Sequence, residues 1–196
     1  MVQASPAAAK AILRAEMRAR RRALAAQHPD AAEQAAARLP LDELPPFRVA
    51  AGYVRNGAEI SPAAVLSRLQ AAGARIALPV TVAADGPLIF RDASPAYEHV
   101  PDLAGVHGPP PHAELLVPDL LIVPLVAFDR RGGRVGQGGG HFDRTLAALD
   151  VNKRVFAIGL AYAGQEVAAA PREEHDRRLD AILTEKEYIA VQKDEA

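Results

Sequence analysis

Residues 120–149 read LLIVPLVAFDRRGGRVGQGGGHFDRTLAAL. Leu120–Val126 is the most apolar segment of the chain, and a run of this kind reads as a strand buried on both faces, hence central in its sheet. Gly132–Gly140 is a glycine-rich loop, and Phe142–Leu149 reads as a helix. A buried strand that passes through glycines into a helix is the junction at which open α/β sheets bind ligands, at the carboxyl ends of their strands. Glycines let backbone N–H groups come close to a phosphate, and the helix N-terminus adds partial positive charge. Arg134 and Arg144 can contribute charge-assisted hydrogen bonds, and Asp143 can hold a magnesium ion directly or through water. The loop is not a Walker A motif, because no Gly-Lys-Ser/Thr follows, and His141 breaks a G-x-G-x-x-G match. By spacing alone, a glycine cluster ahead of a helix serves as a tight turn as readily as a phosphate site.

Outward from this stretch the same alternation continues. Upstream, Arg48–Val54 reads as a buried strand and Ser61-Pro62 as a helix start, with Ser as N-cap and Pro in the first turn. Val65, Leu66 and Leu69 give that helix an apolar face, Gly73 closes it, and Arg75–Val80 is the next strand, making a βαβ unit. A turn at Asp85-Gly86 leads to a short strand, Leu88–Arg91, and Val100–His112 reads as a surface loop. Downstream, Val155–Leu160 is a further buried strand, 168–178 a polar loop and Ala181–Leu183 a last short strand. Before all of these come an Ala-rich helix over Ala7–Ala26 and a second over Ala31–Leu39, bounded by prolines. The expectation is a single domain spanning 1–196: an α/β fold with an open, largely parallel sheet and helices on both faces.

Composition narrows the function. The chain has 196 residues, with Lys plus Arg at 23 against Asp plus Glu at 24. This balance gives no global attraction to nucleic acid or membrane, so anion binding must come from local clusters. Cysteine is absent, which excludes disulfides, thiolate metal sites and cysteine nucleophiles. The start of the chain lacks the apolar core of a signal peptide, and no apolar run reaches membrane-spanning length, so a cytoplasmic setting is expected. The six histidines have no zinc-ligand spacing, and no G-x-S-x-G string occurs.

Three further segments carry charge in patterns worth reading. Lys10 and Arg14 are four residues apart, on one face of the first helix, and Arg18 and Arg22 continue the stripe. Such a stripe is either a solvated basic face or an anion-binding one. Glu59, in Tyr53-Val54-Arg55-Asn56-Gly57-Ala58-Glu59, lies past the carboxyl end of a strand and is either an ordinary loop carboxylate or a ligand group. Asp176, in Pro171-Arg172-Glu173-Glu174-His175-Asp176-Arg177-Arg178-Leu179-Asp180, is either a loop ion pair with Arg177 or Arg172 or a metal ligand.

Taken together, these four segments resemble the 5-formyltetrahydrofolate cyclo-ligase family. Its signature runs P-x-x-A-F-D, a short spacer, then R-[hydrophobic]-G-x-G-x-G-[aromatic]-[aromatic]-D-R, here Pro124 to Asp129 and Arg134 to Arg144. The order of the segments matches across nearly the whole chain. The resemblance implies a Rossmann-like domain of the topology seen in sugar-isomerase and CoA-transferase-like proteins. It implies ATP-dependent cyclisation of 5-formyltetrahydrofolate to 5,10-methenyltetrahydrofolate, with release of ADP and phosphate and with phosphorylation of the formyl oxygen on the way. It implies Arg134 and Lys10 as catalytic cations. ATP would be held by Lys10, Arg14, Arg134, Val135, Gly136, Gln137, Gly138, Gly139, Gly140, His141 and Phe142. The folate would be held by Val54, Glu59, Gln137, Gly138, Gly139, Gly140 and His141, and magnesium by Asp143 and Asp176. His175 would orient a neighbour, and Asp180 would cap or bridge. Arg18, Arg20, Arg21 and Arg22 receive no role and read as solvated. The expected partners are ATP and 5-formyltetrahydrofolate, with or without a polyglutamate tail, to a monomeric protein that binds no nucleic acid and no membrane. Where relatives commonly carry two aromatics, often Tyr-Tyr, this chain has His141-Phe142. That departure motivates the alternative of a non-catalytic paralogue that binds formylfolate or nucleotide.

Overall fold

The computed structural model describes residues 6–151, 153–173 and 176–192. Glu174 and His175 therefore lie outside the described residues. Eleven strands and four α-helices follow one another as α1 (Pro6–Gln27), α2 (Ala31–Ala37), β1 (Val49–Ala51), α3 (Ala63–Ala71), β2 (Arg75–Val80), β3 (Ile89–Asp92), β4 (Val100–Pro101), β5 (His107–Gly108), β6 (Leu120–Pro124), β7 (Ala127–Phe128), β8 (Arg134–Val135), α4 (His141–Asp150), β9 (Phe156–Leu160), β10 (Ala181–Leu183) and β11 (Tyr188–Ala190). Seven strands form the main sheet in the order β11-β10-β9-β6-β1-β2-β3. β1, β2, β6, β9 and β10 pair in parallel, and β3 and β11 close the two edges antiparallel.

The most apolar strand, β6, is the middle of the seven, and Leu120 to Val123 are fully buried because both faces of the sheet are covered. On one face, α2 and α3 bring Ala35, Leu39, Val65 and Leu69 against Ala50, Leu120 and Ile122. On the other, Leu146 of α4 joins Leu121, Val123, Ala157 and Ile182. α1 packs Met17 against Val126, Ala127 and Val135. The chain leaves β1 toward β2 on one side and later returns through β6 on the other, so the order of the strands reverses between β1 and β6. In sheets of this type that crevice is where ligands sit.

Several local expectations change. The first strand is only Val49–Ala51, since the chain beyond it turns into a loop instead of continuing the ladder. α3 begins one residue later than Ser61-Pro62 suggests, with Pro62 as the cap position, although the Ser61 hydroxyl still accepts from the Ala63 N–H at 3.3 Å. The 100–112 segment is not simply a surface loop: it forms the β4–β5 hairpin and buries Gly108, Pro109 and Pro110. Asp102 organises it, accepting from the N–H groups of Thr81, Ala104 and Val106 at 2.8–2.9 Å. Despite partial burial, these backbone donors hold its carboxyl below the usual aspartate range. β11 had no sequence counterpart.

The glycine stretch itself is divided in two. Its first part is a turn between β7 and β8, so Arg134 and Val135 stand on a strand and not in the loop. Asp129, 3% exposed, builds that turn: one carboxylate oxygen accepts from the N–H groups of Arg131 and Gly133, and the other from Ala170. Gly132 is required there twice over. Its φ is +81°, and a Cβ would sit 2.6 Å from the Leu179 carbonyl.

Candidate active site

The loops at the carboxyl ends of β1, β2 and β6 enclose a cavity of about 370 Å³, within the size range of small-molecule sites. Every residue that the resemblance singles out for ATP, folate or magnesium lines it: Lys10, Arg14, Val54, Glu59, Arg134 to Asp143, and Asp176. Glu173, Asn56 and the tip of the β4–β5 hairpin at Ala104 and Val106 complete the wall.

The phosphate-loop half is Gly136–Gly140. Its carbonyls are taken by arginines. Arg14 Nε donates to Gly136 O at 2.9 Å, Arg18 Nη2 to Gln137 O at 2.6 Å, and Arg144 Nη2 to Gly139 O at 2.7 Å. The N–H groups of Gly136 to Gly140, by contrast, have no hydrogen-bond partner among the described residues. Gly140, at φ +68°, is the N-cap of α4 and offers no side chain to cap it, so the first amides of that helix are also uncapped. A chain of unused N–H donors running into a helix N-terminus is a receptor for an anion. Arg14 and Arg144 thus shape the loop by gripping its carbonyls, a role beyond the direct phosphate contact that spacing suggests.

At one end of this loop the acids and bases are paired. The Arg134 side chain, 4% exposed, donates to Asp143, and its other Nη donates to the Arg177 carbonyl at 2.5 Å. Burial pulls the guanidinium below the ordinary arginine value, while Asp143 and Asp176 oppose that shift. Lys10 Nζ lies 2.5 Å from Asp176 and 2.7 Å from Glu173. Burial works against its charge, but hydrogen bonds to the two carboxylates outweigh it, and its pKa is raised. Asp176 therefore pairs with Lys10 across 166 residues of sequence instead of with Arg172 or Arg177. Glu173 was overlooked in the sequence, although it sits in the same polar segment; only the approach of Lys10 distinguishes it from its neighbours.

Asp143, Asp176 and Glu173 offer carboxylate oxygens, the ligand type magnesium prefers. Among the described residues no three His, Asp or Glu side chains converge on one point as a ready-made metal cage. Magnesium does not require one, since it is usually held by one or two carboxylates together with phosphate oxygens and water. The donor set fits that ion.

At the other end, Glu59 is 5% exposed. Its Oε2 accepts from the Asn56 N–H and its Oε1 from Gln137 Nε2, both at 2.9 Å. Gln137 is clasped in turn by Arg18. Arg21 is a correction: it is not solvated but 6% exposed, with Nη1 at 3.5 Å from Glu59 Oε1. Beneath them Tyr53 donates to the Ile60 carbonyl at 2.5 Å, and burial, helped by Glu59, raises its phenol well above the usual value. His141 and Phe142 line the cavity between the two ends, with His141 Nδ1 at 3.3 Å from Gly86 O and Phe142 packed on both main cores. Asp180 bridges, as expected, between the Ala157 N–H and Arg154.

Known proteins resemble this chain over most of its length. The sequence model of the 5-formyltetrahydrofolate cyclo-ligase family matches residues 6–185. A 5-formyltetrahydrofolate cyclo-ligase of Escherichia coli K12 is 35% identical over 177 residues, covering 86% of this chain and 96% of that protein. One from Mycolicibacterium smegmatis is 32% identical over 152 residues, covering 74% of this chain and 77% of the relative. Among solved structures, 5,10-methenyltetrahydrofolate synthetase of Aquifex aeolicus superposes with a TM-score of 0.75 at 25% identity, over 95% of each chain.

Proposed function

The chain belongs to the 5-formyltetrahydrofolate cyclo-ligase family, and from that premise we propose how its cavity carries out the family reaction. The enzyme closes 5-formyltetrahydrofolate to 5,10-methenyltetrahydrofolate, with ATP as co-substrate. The formyl oxygen is a poor leaving group. Transfer of the γ-phosphoryl group to it forms an O–P bond, breaks the terminal P–O bond of ATP and releases ADP. The product is an iminium phosphate. N10 of the folate then attacks the activated carbon and gives up its proton, and the C–O bond breaks as phosphate leaves carrying the electron pair.

Little of this requires a protein nucleophile. It requires positioning and charge neutralisation. The amides of Gly136–Gly140 and the α4 N-terminus bind the triphosphate, with Lys10, Arg14 and Arg134 supplying positive charge. Glu59 accepts from the adjacent N–H donors of the pterin ring, and Val54, His141 and Phe142 contact the folate. Gln137 touches both halves. Asp143 and Asp176 would hold magnesium, which when bound neutralises phosphate charge; Arg134 would stay anchored beside Asp143 and the Arg177 carbonyl, while Lys10 would turn to the phosphates. The protein acts as a single cytoplasmic domain, a monomer, on folate with or without a polyglutamate tail. Among the described residues no helix is long and apolar enough to cross a membrane.

The observation that carries this reading is that residues from positions 10 to 176 line one cavity. The purified protein is expected to convert 5-formyltetrahydrofolate to methenyltetrahydrofolate, followed by absorbance, only with both ATP and magnesium. Asp143→Ala should abolish the magnesium-dependent turnover. Binding of both ligands without product would instead favour the non-catalytic paralogue. Lys10→Ala should raise the KM for ATP roughly tenfold or more, the scale of a lost hydrogen bond to a charged group. An unaltered KM for ATP would remove Lys10 from the phosphates.

A further inference from the structure

We propose that Arg21 is a positioning residue for the folate: its buried guanidinium holds Glu59 in place as the acceptor for the pterin N–H donors. The proposal rests on the reading of Glu59 as the folate-facing carboxylate. It begins from α1, where Lys10, Arg14 and Arg21 share one helical face, spaced four and seven residues apart. Met17, 1% exposed, lies between them on that face and packs into the core. The helix therefore runs along the cavity. Its first basic residue meets the carboxylates, its second meets the glycine loop, and its third arrives at Glu59.

Arg21 does not itself line the cavity. Its Nη1 lies 3.5 Å from Glu59 Oε1 and donates to the Leu125 carbonyl at 3.3 Å, while its Nε is buried without a hydrogen-bond partner among the described residues. Leu125 directly follows the central strand β6, so the guanidinium ties the carboxylate to the carboxyl end of that strand. It is also the only cation within 4 Å of Glu59 among the described residues. A carboxylate buried this far needs a compensating charge, and removing one member of such a pair leaves the other stranded. The remaining contacts to Glu59 come from neutral donors, Asn56 and Gln137. One of these, Gln137, lies on the glycine loop, whereas Arg21 stands on α1 and is tied to the Leu125 carbonyl. A methionine in place of Arg21 would fill the space without the charge. Glu59 would then lose the partner that fixes its position, which weakens its hold on the pterin.

The test is a double-mutant cycle in the full chain, with R21M, E59Q and R21M/E59Q assayed with 5-formyltetrahydrofolate and ATP–magnesium. E59Q and R21M are each expected to raise the KM for folate roughly tenfold or more, the scale of a hydrogen bond to a charged group. The KM for ATP should stay within about twofold, and R21M should add less than about twofold in the E59Q background. A purely structural Arg21 would not produce that selectivity. Equal multiplication of the folate KM by R21M in both backgrounds, or an equal rise in the KM for ATP, overturns the proposal while leaving the Glu59 assignment intact. An unchanged folate KM in E59Q overturns the Glu59 assignment and this proposal with it. Thermal unfolding of each variant verifies folding. If R21M does not fold, R21Q serves in its place: it removes the charge but keeps a donor for the Leu125 carbonyl, and the same cycle applies.

Discussion

Arg134→Met is expected to lower kcat/KM by roughly 10²–10³-fold, the loss seen when one preorganised donor to developing charge is removed. Arg134 stands on β8 with a side chain only 4% exposed, so its field reaches the cavity with little screening by water. It is held rigidly, by Asp143 on one side and the Arg177 carbonyl on the other. Phosphoryl transfer spreads negative charge over the transferring oxygens, and a fixed guanidinium at the start of the glycine loop opposes that charge without having to reorganise. Methionine fills the volume without the charge. Asp143, whose side chain is 30% exposed, can then be solvated, so the fold should survive. Arg134→Lys should recover only part of the loss, because an ammonium cannot span both partners as the fork does. The measurement is steady-state formation of methenyltetrahydrofolate, with unfolding curves confirming integrity. Turnover within a few-fold of the parent enzyme would remove Arg134 from the catalytic machinery.

Asp129→Ala should cost about 2–5 kcal/mol of stability, because two of the N–H groups it satisfies, on Gly133 and Ala170, are buried and would lose a charged acceptor together. For a chain of this length each kcal/mol moves Tm by about 2–4 °C. The urea midpoint should fall with little change in slope, as native contacts are lost without a change in the surface exposed on unfolding. Asp129→Asn should lose less, since one oxygen remains to accept from Arg131 and Gly133. Catalysis should fall along with stability, because the turn built by Asp129 sets the position of β8 and hence of Arg134. A loss below about 0.5 kcal/mol would place Asp129 among ordinary surface substitutions and remove it as the organiser of the turn.

These two residues illustrate what could be read from the sequence. The order strand, glycines, helix in residues 120–149 was enough to place a central strand, a glycine loop and α4, because hydrophobic periodicity and glycine chemistry are local. The same locality explains the omissions. A helical stripe of Lys10, Arg14, Arg18 and Arg22 tells which side chains share a face, not which partner that face meets. Arg21, read as solvated, is buried, and Asp176, for which an ion pair with adjacent arginines was the alternative to a magnesium role, pairs with Lys10. β11 and the β4–β5 hairpin are three and two residues per strand, too short to show a period. Glu173 carries no pattern at all. The membership of the cavity was legible only because four separated segments matched one family together; none of them would have sufficed alone.

The pairing of α1 with the far end of the chain has a consequence for how the molecule comes into being on the ribosome. α1 is translated before the rest of the described fold, yet its lysine finds its carboxylate partners 163 and 166 residues later. Until that late segment has emerged, Arg21 can already meet Glu59, but Lys10 lacks the carboxylates that neutralise it. Catalytic competence thus waits on contacts of very long sequence separation, the slow kind. A nascent chain stopped short of residue 173 has the glycine loop and the central strand, and can seat Met17 beside them, but it lacks both carboxylates that fix Lys10 at the cavity.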